Sequence, residues 1–229
     1  MKLSGKISLL PYVKNGHTGI DIQIVSPDAV VSDYLEALDG YILQGGFTRL
    51  RAETSQCEGC VTCCGERMPL TSIDAFMLQK ALAPDLSLGQ FLNRYAYVAV
   101  SGRMVDILLS RAADEQCLFL DRKDLRCAGY RDRPLVCRTY ICAPLSPRAQ
   151  KLRQEITNTG EDELVRLWVQ GYLQGENQIH EAADPEVRPE DWSKSAWTGK
   201  TAYREVLLRE ILSPKLLADL MKDEGMRIV

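Results

Sequence analysis

A chain of 229 residues, 45% hydrophobic and 26% charged, holds enough apolar material for a full core and has the composition of an ordinary globular protein. Its formal net charge of −3 excludes a global electrostatic case for nucleic-acid or membrane-surface binding. The early apolar run Ile7–Tyr12 is too short for a secretory signal and is interrupted by Pro11; no later stretch is long and apolar enough to span a bilayer, so the expected location is the cytoplasm.

Residues 5–31 read as strands. Ile20, Ile22 and Ile24 alternate with polar neighbours, and Asn15-Gly16 marks a hairpin whose connection looks longer than two residues. Ser32 or Asp33 is placed to cap a helix through Tyr34, Leu35, Leu38, Tyr41 and Ile42, stopped by Gly45-Gly46. Thr71 or Ser72 begins another, and Ser87 a third, with Phe91, Leu92 and Tyr95 inward. The runs on either side of Ser101-Gly102, across residues 96–109, predict a hairpin. Ser146-Pro147 opens a helical region with Leu152, Ile156, Leu164, Leu167, Trp168 and Leu173 as core candidates. Polar residues 174–200 read as a surface loop, and a last helix pair splits at Ser213-Pro214. The acidic run Glu161-Asp162-Glu163 reads as the start of a solvated helix, where negative charge suits the dipole.

Between these elements lie all eight cysteines. Cys57, Cys60, Cys63 and Cys64 fall within eight positions, and Cys117, Cys127, Cys137 and Cys142 follow. In a reducing compartment this array points to metal binding or redox chemistry and away from a disulfide frame. Thiolate is a soft ligand that selects zinc, copper(I) or iron–sulfur clusters. The repeated two-residue spacing of Cys57, Cys60 and Cys63 matches the first three ligands of a bacterial ferredoxin run, whose fourth comes from elsewhere. Adjacent side chains diverge in a strand or a helix, so Cys63 and Cys64 are expected to serve different metal atoms, different sites, or one site and one unligated thiol.

Only two histidines are present, His17 and His180, both read as ordinary surface residues. An all-sulfur set favours iron–sulfur, with zinc as the alternative. Arg122, Lys123, Arg126, Arg131, Arg133 and Arg138 crowd the second cysteine group, partly offset by Asp121, Asp124 and Asp132. Such charge suits an anionic cluster, a solvated basic loop, or a docking surface for an acidic redox or client protein. Aromatic interleaving by Phe119, Tyr130 and Tyr140 is thin support for nucleic-acid stacking. A Gly-x-Ser-x-Gly or His-Glu-x-x-His pattern is absent. Gly199-Lys200-Thr201 is not a phosphate loop, because Lys194 stands where its first glycine belongs.

Cys57-x-x-Cys60-x-x-Cys63-Cys64, followed by Cys117-Leu-Phe119-Leu120, Cys127 and Arg133-Pro134-x-x-Cys137-Arg138-x-Tyr140-x-Cys142, resembles the CxxCxxCC family of YkgJ-type cysteine-cluster proteins, described as a domain that chelates zinc or iron. The resemblance covers about residues 55–145 and departs at Ala128-Gly129 and Ile141. It implies that all eight cysteines are metal ligands, that Pro134 sets a turn aiming Cys137, and that Arg133 and Arg138 support the bound centre. A flagellin lysine methylase shares this type of cysteine domain, but no S-adenosylmethionine fingerprint is found here.

The expected protein is α+β, mostly helical with short β elements, built as a single domain around a cysteine-rich metal-binding core. Residues 1–50 form a β/α element, 51–145 the core and 146–229 a helical region. Its expected function is to hold one or two iron–sulfur clusters, 4Fe–4S favoured, for electron transfer or redox and maturation chemistry. The alternatives are a zinc-stabilised interaction module and an iron–sulfur enzyme, for example of protein-modifying, methylase-like activity.

Overall fold

The computed structural model describes residues 5–44, 61–222 and 227–228. Seven α-helices and three small sheets among these residues make an α+β fold. The chain divides into two compact units: one holds the described residues up to 44, with 138–156 and those from 202 onward, and the other holds 61–137 and 157–201. Cys57, Cys60 and the Gly45-Gly46 helix stop lie outside the described residues.

In the first unit, β1 (Ile7–Lys14) and β2 (His17–Ile24) pair antiparallel, with β8 (Arg227–Ile228) parallel on the far side of β1. Lys14 pairs with His17, so the connection is two residues, shorter than expected. Asn15 and Gly16 both take positive φ, 52° and 77°, as the tight type I′ turn requires and as asparagine and glycine tolerate best. Helix α1 (Val31–Gln44) starts ahead of both predicted caps; the Asp33 carboxylate, in the first turn, accepts from the Val30 amide at 2.9 Å.

The predicted apolar face of β2 is buried, but so is Asp21 on the opposite face, at 1% exposure. Arg148 explains this. Its guanidinium pairs with Asp21 at 2.6 Å, and the Ser146 hydroxyl also donates to that carboxylate. Burial acts to raise the Asp21 pKa, yet Arg148, Ser146 and the Ile22 amide together hold it below the usual carboxylate value. Helices α6 (Leu208–Ile211) and α7 (Pro214–Met221), split at Ser213 as predicted, complete this unit by burying Leu208, Leu216 and Leu220.

In the second unit, Thr71 caps α2 (Ser72–Leu82) and Ser87 caps α3 (Leu88–Tyr95), each with a reciprocal capping box. Strands β3 (Ala96–Ser101) and β4 (Met104–Leu109) form the predicted hairpin. Residues 174–200 are more than a surface loop. β7 (Glu181–Ala183) joins β3 in parallel, and Trp197 is fully buried, its indole N–H donating to Thr159 at 3.0 Å. The polar composition hid this because β7 itself is exposed on every residue and Trp197 acts as an isolated anchor.

Helix α5 runs Pro147–Leu173. It buries Leu152, Ile156, Leu164 and Trp168 as expected, but Leu173 at its end is 62% exposed. The acidic run does not begin this helix; it sits in the middle. Glu163 is 2% exposed, paired with Arg166 at 2.7 Å and accepting from the Thr198 hydroxyl at 2.8 Å. Burial pushes the Glu161 carboxyl up to about 7, the Ile107 amide draws it partly back, and the charges of Asp106 and Asp162 raise it further.

The Glu161 shift has a sign that can be measured. A carboxyl whose folded pKa of about 7 exceeds its ordinary 4.5 binds its proton more tightly in the native state. Its contribution is complete below pH 4.5 and is lost as pH rises through 7. The expected loss, on the order of 2 to 3 kcal/mol between pH 5 and 8, disappears in Glu161→Gln. Urea unfolding of both proteins at the two pH values checks it, and an unchanged pH slope in the variant would refute it.

Candidate metal centre

Five described cysteines of the second unit gather from three separate segments. Cys63 and Cys64 lie on a short 3₁₀ turn, Thr62–Gly65. Cys117 precedes and Cys127 ends a two-strand ribbon, β5 (Leu120–Asp121) with β6 (Arg126–Cys127). Cys137 lies on α4 (Leu135–Thr139). Backbone bonds tie the first two segments together: the Cys117 amide donates to the Cys64 carbonyl at 2.9 Å, and Arg111 donates to the Gly65 carbonyl.

The five sulfurs are electrostatically coupled. Cys63 is perturbed by Cys64, while Cys117, Cys127 and Cys137 all respond to the charge of Cys63. The Cys63 and Cys64 side chains hydrogen-bond to each other. They reach each other although neighbouring side chains on such a turn set out in different directions.

Sharing that proton makes the pair unequal. The hydrogen bond from Cys64 brings the Cys63 thiol down to about 7, against burial and with help from Arg133. The same bond, burial and the negative charge of Cys63 push Cys64 up. Burial raises Cys117, partly relieved by the Phe119 amide, which donates to its sulfur at 3.4 Å. Burial likewise raises Cys127, with the Gly129 amide and Arg133 opposing, and raises Cys137, the most enclosed of the set. Apart from Cys63, these sulfurs are therefore held as neutral thiols until a cation supplies charge.

Arg133 faces this group. Its guanidinium stacks 4.0 Å over the Tyr130 ring, and its Nε donates to the Tyr130 carbonyl at 3.2 Å. Arg138 and Cys142 belong to the first unit. Arg138, expected to support the bound centre, pairs instead with Asp39 at 2.6 Å, and Cys142 lines a cavity there.

None of the six described cysteines is in a disulfide. Among the described residues, however, no three His, Cys, Asp or Glu side chains converge in ion-binding geometry, so the expected metal-binding core is not displayed as a closed site. The donors nonetheless suit a soft metal or cluster: five thiols, no histidine, and a guanidinium beside them.

One supporting residue was missed. The Asp74 carboxylate closes the α2 cap and also accepts from the Leu135 amide at 2.8 Å, the first residue of the helix that carries Cys137. The Thr71-x-x-Asp74 spacing signals the cap, but nothing in it signals the bond to α4, 61 positions away.

Residues 56–161 match the family model CxxCxxCC, whose description reads "Putative zinc- or iron-chelating domain". No curated protein and no solved structure matches the chain. Among the described residues no helix is long and apolar enough to cross a membrane.

Proposed function

We propose that the chain, whose residues 56–161 match the CxxCxxCC model, holds an iron–sulfur cluster, 4Fe–4S favoured, and serves electron transfer or redox maturation. The observation that supports this is the gathering of five electrostatically coupled thiols in the second unit without a histidine among them. One tetrahedral zinc takes four thiolates. Five, with two of them adjacent and hydrogen-bonded to each other, suit a centre that presents several metal atoms. The motif spacing adds Cys57 and Cys60 to the candidate ligands.

A bound cluster would supply a one-electron redox couple. The residues around it have separate tasks. Arg133 offsets the charge of the ligating thiolates, and its stacking on Tyr130 fixes its position. Partial burial of Cys117, Cys127 and Cys137 holds them protonated when no metal is bound, so loading releases protons. The exposed tip of the β5–β6 ribbon, with Lys123 and Arg126, offers an acidic redox partner or client a place to dock near the thiols.

Anaerobic purification followed by iron, zinc and acid-labile sulfide analysis tests the assignment. The expected result is a brown protein with iron and sulfide in equal amounts and little zinc. Stoichiometric zinc without sulfide overturns it and leaves the zinc-stabilised module.

A further inference from the structure

The first unit contains a surface cavity of about 570 Å³, within the range of small-molecule sites. We propose that it binds a small organic oxyanion, a carboxylate or a phosphate ester. Every lining residue belongs to the first unit; one of them, Cys142, is also a candidate ligand by the motif, so metal content is measured alongside.

Charge carries the argument. Acidic residues outnumber basic ones in the chain, 31 to 28, yet no carboxylate is found among the described residues that line this cavity. Lys14 and Arg153 bring two cations to it, and His17, Asn15 and Gln150 add polar groups able to donate hydrogen bonds. The remaining wall is largely apolar: the Tyr140 ring, with the Arg153 guanidinium 5.9 Å from its centre, and residues of the 141–145 segment. Two cations, one of them beside the aromatic ring, with an aliphatic lining suit a compact ligand with an anionic head and an apolar body. A single cysteine and a single histidine are too few to make the cavity a metal site.

The cavity is also built in advance. The type I′ turn fixes Lys14, Asn15 and His17 at the hairpin tip. The opposite wall is clamped to β2, since the Ile20 amide donates to the Pro144 carbonyl and the Ser146 amide to the Ile20 carbonyl, both at 3.0 Å. Gly19 permits this approach: a Cβ there would lie 1.9 Å from the Pro144 carbonyl oxygen. A ligand therefore meets a formed wall and spends little of its binding energy on ordering it.

Isothermal titration of the full chain with phenyl phosphate, benzoate and benzamidine tests the proposal. The expected result is saturable one-to-one binding of at least one anion and none of the isosteric cation. Lys14→Met or Arg153→Met is expected to weaken the anion about tenfold or more, while Arg153→Lys retains most of the affinity. Preference for phenyl phosphate assigns a phosphate ester and preference for benzoate a carboxylate. No saturable binding of either anion, equal binding of benzamidine, or affinity unchanged in both methionine variants overturns the proposal. Lys14 is exposed at the hairpin tip, so Lys14→Met carries the test even if the Arg153 variant unfolds. Metal analysis of the same samples keeps this outcome separate from that of the cysteine centre.

Discussion

Replacing Cys137 with serine is expected to weaken metal retention by roughly two to three orders of magnitude and to lower the melting temperature by about 5–15 °C. Structural zinc contributes about 10–16 kcal/mol through four ligands, or about 3 to 4 kcal/mol for each thiolate. A domain of this size shifts by roughly 2–4 °C per kcal/mol. Cys137 is the best single probe because it is the most enclosed of the gathered thiols and comes from its own segment. A hydroxyl in its place keeps the volume nearly constant but is a poor soft-metal ligand, so packing loss is small and ligand loss dominates. Metal content after gel filtration against a chelator, together with thermal unfolding, measures both effects. Wild-type metal content in this variant would remove Cys137 from the ligand set.

Cys64→Ser separates two roles that the geometry allows. If Cys64 ligates, its loss resembles that of Cys137. If metal content is unchanged, Cys64 serves instead as the hydrogen-bond donor that acidifies Cys63, and Cys64→Ala, which removes the donor that serine would keep, returns the Cys63 thiol of the metal-free protein toward its ordinary value of 9.0. Cys142→Ser with full metal content would confine the ligands to the second unit.

The cysteine motif was legible because its spacing is a local property, as were the two capped helices and both hairpins, and residues 56–161 match the corresponding family model. Three features were not. The two-residue turn at Asn15-Gly16 was read as longer because His17 and Thr18 look like loop residues, although they pair across the hairpin with Lys14 and Val13. Glu161 and Glu163 were read as solvated because the sequence does not reveal that Arg166, Thr198 and the Ile107 amide cover them. Asp21 looked like the polar half of an alternating strand, and its burial depends on Arg148, 127 positions later. For Glu161, Glu163 and Asp21 the missing information includes a partner distant in sequence, Ile107, Thr198 and Arg148 respectively, whereas the turn was misread within its own few residues. Local pattern fixes which residues can form an element, whereas burial of a charge is decided by what tertiary packing brings to meet it.

Asp74→Ala is expected to cost about 4 kcal/mol and to lower the melting temperature by about 8–16 °C, because one buried carboxylate holds two elements. Its Oδ2 accepts from the Thr71 amide at 2.9 Å and the Thr71 hydroxyl at 2.8 Å, and its Oδ1 accepts from the Leu135 amide at 2.8 Å. Hydrogen bonds to a charged group contribute about 1.5–3 kcal/mol each, and alanine leaves buried donors without their acceptor. The α4 helix has five residues, too few to persist without tertiary support, so losing the Leu135 anchor releases the turn that presents Cys137. Thr71→Ala provides the contrast. It removes the cap at a cost of about 1–2 kcal/mol but leaves the bond from Asp74 to Leu135 in place. Metal affinity measured well below both melting transitions should therefore fall in Asp74→Ala and stay near wild type in Thr71→Ala. Equal affinities in the two variants would reduce Asp74 to a helix cap, and a loss of stability under about 1 kcal/mol would remove it from the support of α4 altogether.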